Sequence, residues 1–223
     1  MKLKRTIFTA LKLIFASVAF MLLCASCTSE ITLELKKDGS VDVQFNGVAG
    51  AAFATMINSV SGMSGNGNGS SASSVIFDTK EIEYEMSSNG FSQVKAASKK
   101  GSDLTVTMTD KNGKSALFTS GVVSIKDNKL NATLSPQSLV KFYNTADSQT
   151  VMFLDMLLAP IFNDEKMSQE EYAEVLASFY GEEIADEMKN SSFRITLKNP
   201  DGTKTVQNIG FTKLLTLDEV LRF

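Results

Sequence analysis

Histidine and tryptophan are both absent from the 223 residues, cysteine occurs twice and proline three times. Without an imidazole, histidine-based triads, histidine-ligated zinc or haem and the ordinary neutral-pH general base are excluded. Chemistry would have to rest on carboxylates, lysine or serine. The two cysteines, Cys24 and Cys27, sit together near the start, so no disulfide framework can staple the body of the chain. What is present is 43% hydrophobic content and a net charge of −3, which fits one ordinary globular domain behind a targeting segment.

That segment opens with Lys2, Lys4 and Arg5, followed after Lys12 by an apolar stretch from Leu13 to Leu23. The stretch has the length of a signal-peptide core and is too short to span a bilayer. It ends in Leu22-Leu23-Cys24-Ala25-Ser26-Cys27. Here the sequence resembles the bacterial lipoproteins, whose signal closes with small residues placed before a cysteine that becomes lipid-modified. Ala25 and Ser26 suit the small positions before Cys27, whereas Leu22 and Leu23 are too bulky before Cys24, so Cys27 is the expected acceptor. Cys24 itself departs from the family, which usually has leucine there.

The resemblance implies a signal peptide over 1–26, a mature domain over 27–223 and a palmitate-type acyl anchor on Cys27. It places the protein in a bacterial cell envelope, on the periplasmic side of a membrane or at the cell surface. Two or more acyl chains would hold it there stably. Cleavage removes four of the 22 basic residues, leaving 18 against 25 acidic ones, a net charge of −7. Such a body has no long-range attraction to nucleic acid, and the lipid is the expected means of attachment.

The mature chain starts with alternation. Ile31, Leu33 and Leu35, a Lys37-Asp38-Gly39-Ser40 turn, then Val41, Val43 and Phe45 predict a β-hairpin. An acylated cysteine followed by such a hairpin is similar to the opening of the LppM-like lipoproteins, which would imply a β-rich, membrane-attached domain that binds lipid. Phe53, Met56, Ile57 and Val60 fall at helical spacing and predict a short helix over 48–61. The stretch 62–74 is dominated by glycine, serine and asparagine. A phosphate cradle of that composition would follow a strand, open a helix and carry a lysine; this one does neither and reads as a flexible loop.

Asp78-Thr79-Lys80-Glu81 has capping-box form and starts a short helix ending at Asn89-Gly90, although Ile82, Tyr84 and Met86 would also alternate along a strand. From Phe91 the period is two. Strands at 91–96, 104–108, 117–119, 122–125 and 130–134, joined by turns, predict an antiparallel meander. Ser135-Pro136 opens a helical block over 136–190, with an almost wholly apolar run from Val151 to Leu158 and a capping box at Ser168–Glu171. Phe193, Ile195 and Leu197, an Asn199-Pro200-Asp201-Gly202 turn and Val206 predict a second hairpin. Thr216 is expected to cap a last helix through Glu219. The expected fold class is therefore α+β: an antiparallel sheet built from hairpins, with an all-helical block inserted before the C-terminal one.

Few residues offer chemistry. Ser92–Lys95 and Ser138–Lys141 match the Ser-x-x-Lys form of penicillin-interacting enzymes, but no Ser-Asp-Asn or Lys-Thr-Gly partner accompanies them. Glu182, Glu183, Asp186 and Glu187 read as a solvated acidic face, since a bundle-type metal site needs histidine. Asp110-Lys111-Asn112-Gly113 lacks the remaining acids of a calcium loop. No catalytic residue, cofactor or metal is therefore expected. The helix at 151–162 is expected to be core, with Met152, Met156 and Phe162 as the candidate ligand-lining residues if it instead walls a pocket. The leading expectation is a non-enzymatic binding or envelope-structural lipoprotein, and the alternative is a carrier of a lipid-like small molecule.

Overall fold

The computed structural model describes residues 28–55, 77–143 and 166–223. A six-stranded sheet of order β3-β4-β2-β1-β7-β8 dominates it, beside a small sheet of order β5-β6-β9. The large sheet comprises β1 (Thr28–Leu35), β2 (Val41–Val48), β3 (Ser92–Ala97), β4 (Asp103–Asp110), β7 (Ser192–Lys198) and β8 (Lys204–Gly210). The small sheet comprises β5 (Val123–Lys126), β6 (Lys129–Leu134) and β9 (Leu221–Arg222). The helices are α1 (Thr79–Ser88), α2 (Ala116–Thr119), α3 (Pro136–Tyr143), α4 (Gln169–Tyr180), α5 (Glu182–Lys189) and α6 (Phe211–Leu215). Residues 51–55 form a further helical turn. This is the expected α+β class, with hairpin-built antiparallel sheets and an inserted helical block.

Both expected hairpins form, and their turns are chemically alike. In the first, Lys36 N–H donates to Ser40 O and Gly39 N–H to Lys36 O; in the second, Asn199 N–H donates to Thr203 O and Gly202 N–H to Asn199 O. Asp38 and Asp201 each accept the backbone N–H two residues on. Gly39 and Gly202 then adopt φ of +84° and +83°, a region that costs a residue with a Cβ. The same turn chemistry thus closes hairpins 163 positions apart. Both helix starts are capped: Asp78 accepts from Lys80 and Glu81 N–H as a one-sided N-cap, and Ser168 and Glu171 cap each other reciprocally as a full box.

β1 and β2 alternate between buried and more open residues because one face of the sheet packs on the core and the other is more open among the described residues. Ile31, Leu33, Leu35, Val41, Val43, Phe45, Leu104, Val106, Met108, Ile195 and Leu197 lie on the covered face, all buried. They form one core with Met86 of α1, Tyr172 and Leu176 of α4, Met188 of α5 and Phe211, Leu214 and Leu215 of α6. Removing a large buried side chain from such a core costs about 2–5 kcal/mol.

Five expectations are corrected. The meander does not run on: β4 pairs with β2 instead of continuing into β5, and β5 and β6 form their own hairpin. β1 and β7 pair parallel, Ile31 opposite Ile195 and Leu33 opposite Leu197, so the sheet is not purely antiparallel. Residues 117–119 belong to the helix α2, not to a strand. Asp110 accepts N–H groups from Asn112, Gly113 and Ser115 and turns the chain at that point, and Leu117 packs into the core. The last helix is α6, which Thr216 closes instead of opening; Phe211, Leu214 and Leu215 are its buried face. The expected helix at 48–61 starts later, because Val48 still belongs to β2; its remainder from 56, and the 62–74 loop, lie outside the described residues.

Candidate functional site

The more open face of the large sheet carries an ordered polar array. Registry aligns Thr196, Thr32, Gln44 and Thr107 in one row across β7, β1, β2 and β4. The next row towards the hairpin turns is Lys198, Glu34, Asp42 and Thr109, and the next in the opposite direction is Arg194, Glu30, Asn46 and Thr105. Neighbouring strands are about 4.8 Å apart, so each row is a ladder of donors and acceptors at nearly constant spacing. The array hollows into a groove of about 670 Å³ lined by Thr32, Glu34, Asp42, Gln44, Lys95 and Lys198, among others.

One end of the groove is charged. Lys36 bridges the two carboxylates, its Nζ 2.6 Å from Glu34 Oε1 and 3.2 Å from Asp42 Oδ2. Hydrogen bonds to Glu34 and then Asp42 raise the lysine above its ordinary value. Lys198 Nζ lies 3.9 Å from the other Glu34 oxygen, and the Thr109 hydroxyl donates to Asp42 at 2.8 Å. The acids are therefore held among cations and hydroxyls. At the rim Gln93 has φ of +55° in a bulge where β3 slips register between Ser92 and Lys95, and its side chain lies 3.3 Å from the Thr109 hydroxyl. The groove can hydrogen-bond a polar ligand through hydroxyls, amides and charges of both signs. Its lining holds no aromatic side chain, and Val43, Val94 and Met108 stand among the polar residues.

The residues singled out from sequence fall elsewhere. Ser92 donates its hydroxyl to Thr109 O at 3.0 Å, and Ser138 donates to Ser135 O at 2.8 Å while accepting Ser135 N–H at 2.9 Å. Both hydroxyls thus serve the backbone. Glu182, Glu183 and Asp186 are exposed. Glu187 instead turns inward and accepts N–H groups from Ala52 and Phe53 at 2.9 and 3.0 Å, capping the turn at 51–55. Among the described residues no group of three or more Asp, Glu or Cys is placed to hold a metal ion, and no helix is long and apolar enough to cross a membrane. Cys24, Cys27, Met152, Met156 and Phe162 lie outside the described residues.

Sequence reasoning missed the groove, although its signal was present. The polar members of each alternating strand, Thr32, Glu34, Asp42, Gln44, Thr105, Thr107 and Thr109, are those that strand periodicity sends to the face opposite the core. A second, open depression of about 640 Å³ lies along α4, where Phe179 is 76% exposed beside Val175 and Met167. Comparison with protein-family models, curated proteins and solved structures finds no match to this chain.

Proposed function

We propose that this chain is a lipid-anchored, non-enzymatic binding module of a bacterial envelope, tethered through Cys27 and using the polar sheet groove as its recognition surface. The observation that carries the reading is the pairing of the residue directly after the expected acceptor. Thr28, directly after the expected acceptor, is already the first residue of β1 and is paired with Ser192 of β7. A chain built this way leaves no spacer between the anchor and the sheet. The groove's hydroxyls, amides and lysine-bridged carboxylates suit a polar partner, and its shape and lining give no support to an enzyme or to a pocket for a bare acyl chain.

Metabolic labelling with a fatty acid tests the anchor. Cys27→Ser should abolish incorporation and Cys24→Ser should leave it intact. Labelling that survives the first change and disappears with the second would move the anchor to Cys24, and labelling of neither protein would remove the lipoprotein reading.

A further inference from the structure

The position of Thr28 also determines which end of the molecule meets the bilayer. Successive Cα atoms are about 3.8 Å apart, so an acylated Cys27 holds the start of β1 against the head groups. Strand direction then sorts the whole sheet. β1 and β7 start at this end, and β2, which pairs antiparallel with β1, finishes there at Val48. β4 starts there at Asp103, opposite Val48, and the β3–β4 turn at 98–102 lies beside it. The two Asp-Gly hairpin turns are at the opposite end.

We infer that the β3–β4 turn, the end of β2 and the end of α5 form a bilayer-facing surface on which Lys99, Lys100 and Lys189 contact anionic head groups. This inference rests on the lipid-anchor reading above. All three lysines are exposed, and none is in an ion pair among the described residues. Val48, Ala51 and Ala97, also exposed, stand near them. Small apolar groups beside flexible lysines suit a membrane interface, where the lysine stem lies on apolar surface and the ammonium reaches phosphate.

Two of the acids at this end are engaged by backbone N–H groups. Asp103 accepts N–H groups from Lys99 and Lys100 and so shapes the turn that presents them. Glu187 is occupied by Ala52 and Phe53. Glu30 on the polar face and Asp186 on α5 are the nearby carboxylates outside these caps. Three lysines stand against Glu30, Asp103, Asp186 and Glu187, so the tip is near neutral while the mature chain as a whole carries −7. Because Glu34 is six residues along β1 from Thr28, the charged end of the groove stands roughly 20 Å further from the bilayer, open to a partner.

The test is methyl NMR of the mature chain, purified from membranes and placed in nanodiscs of phosphatidylcholine and phosphatidylglycerol, with a nitroxide on a fraction of the head groups. Methyl signals of Val48, Ala51 and Ala97 should broaden at least threefold more than those of Val41 and Thr203. Equal broadening, or the reverse order, would overturn the orientation. Replacing Lys99→Glu and Lys100→Glu together should at least halve the effect at Ala97 in these discs and leave it unchanged in pure phosphatidylcholine; no change in either would overturn the lysine contact. A chain recovered without acyl groups would sink the anchor reading alone. The same measurement on that chain, with Cys27 Sγ coupled to a maleimide lipid, still decides the orientation.

Discussion

Gly50 and Glu187 show how much a single contact can carry. A Cβ built on Gly50 would lie 2.4 Å from Glu187 Oε2 and 2.7 Å from Oε1, inside the carboxylate that caps the turn at 51–55. The glycine is needed here for space and not for an unusual φ. Gly50→Ala should push the carboxylate off the Ala52 and Phe53 N–H groups and destabilise the protein by about 1–2 kcal/mol, the range of a lost helix cap. Glu187→Ala should cost a similar amount, and the double variant should cost clearly less than the two single losses added together, because both break the same contact. Urea unfolding of the four proteins checks this; full additivity would show that the two residues act separately.

At the scale of elements, the two edges of the large sheet are treated differently. On the β3 edge, Glu83 of α1 accepts the Ala96 N–H at 2.9 Å, so a side chain closes the ladder. On the β8 edge, all residues except Ile209 are exposed. Asn199 N–H donates to Thr203 O, and antiparallel pairs alternate, so Thr205, Gln207 and Ile209 exchange hydrogen bonds with β7 while Val206 and Asn208 direct theirs outward. Proline should distinguish the two sets. Gln207→Pro removes a ladder bond and leaves the Ile195 carbonyl unpaired, whereas Asn208→Pro removes an N–H that faces away from the sheet. The first should destabilise by about 1–2 kcal/mol more than the second in thermal or urea unfolding. Equal losses would contradict the deduced register.

Across the whole molecule, the missing histidine and the directions of the resolved shifts predict the pH response. Burial pulls Asp110 upward, but hydrogen bonds from Ser115, Asn112 and Gly113 outweigh it and leave the carboxyl below its ordinary 3.8. Asp38, Asp103, Glu171 and Asp201 are lowered too, by hydrogen bonds from Ser40, Lys100, Ser168 and Thr203 respectively. Tyr172 and Tyr180 are raised by burial, and Lys36 by its hydrogen bonds to Glu34 and Asp42. All of these move away from neutrality. A carboxyl with a depressed folded-state pKa contributes stability that is fully present above its unfolded value and is lost as pH falls through the folded one. The melting temperature should therefore be nearly flat from pH 6 to 8 and fall below about pH 4. Asp110→Asn should lower the plateau and flatten the acid limb. A steep slope between pH 6 and 8 would expose a titrating group in a shifted environment and reopen the case for catalysis.

Local signals were legible without any structure. Period-two alternation set the strands from Ile31 to Phe45 and from Phe193 onward, Asp-Gly set both hairpin turns, and Asp78 and Ser168 marked helix starts, because each depends on contacts within a few residues. The rest needed the tertiary structure. Several of the strands present similar alternating faces, so nothing local says that β1 should pair parallel with β7 or that β4 should pass to β2; shared burial of residues far apart in the chain, some 160 positions for β1 and β7, decides it. Residues 117–119 alternate well enough for a strand, yet the Asp110 turn and the core position of Leu117 make them a helix. The polar members of most strands were visible as alternation, but only the sheet order sets Thr32, Gln44 and Thr107 side by side and brings Lys198 beside Glu34. A groove assembled from five strands is a property of their pairing, and pairing is decided by the one arrangement that buries all their apolar faces at once.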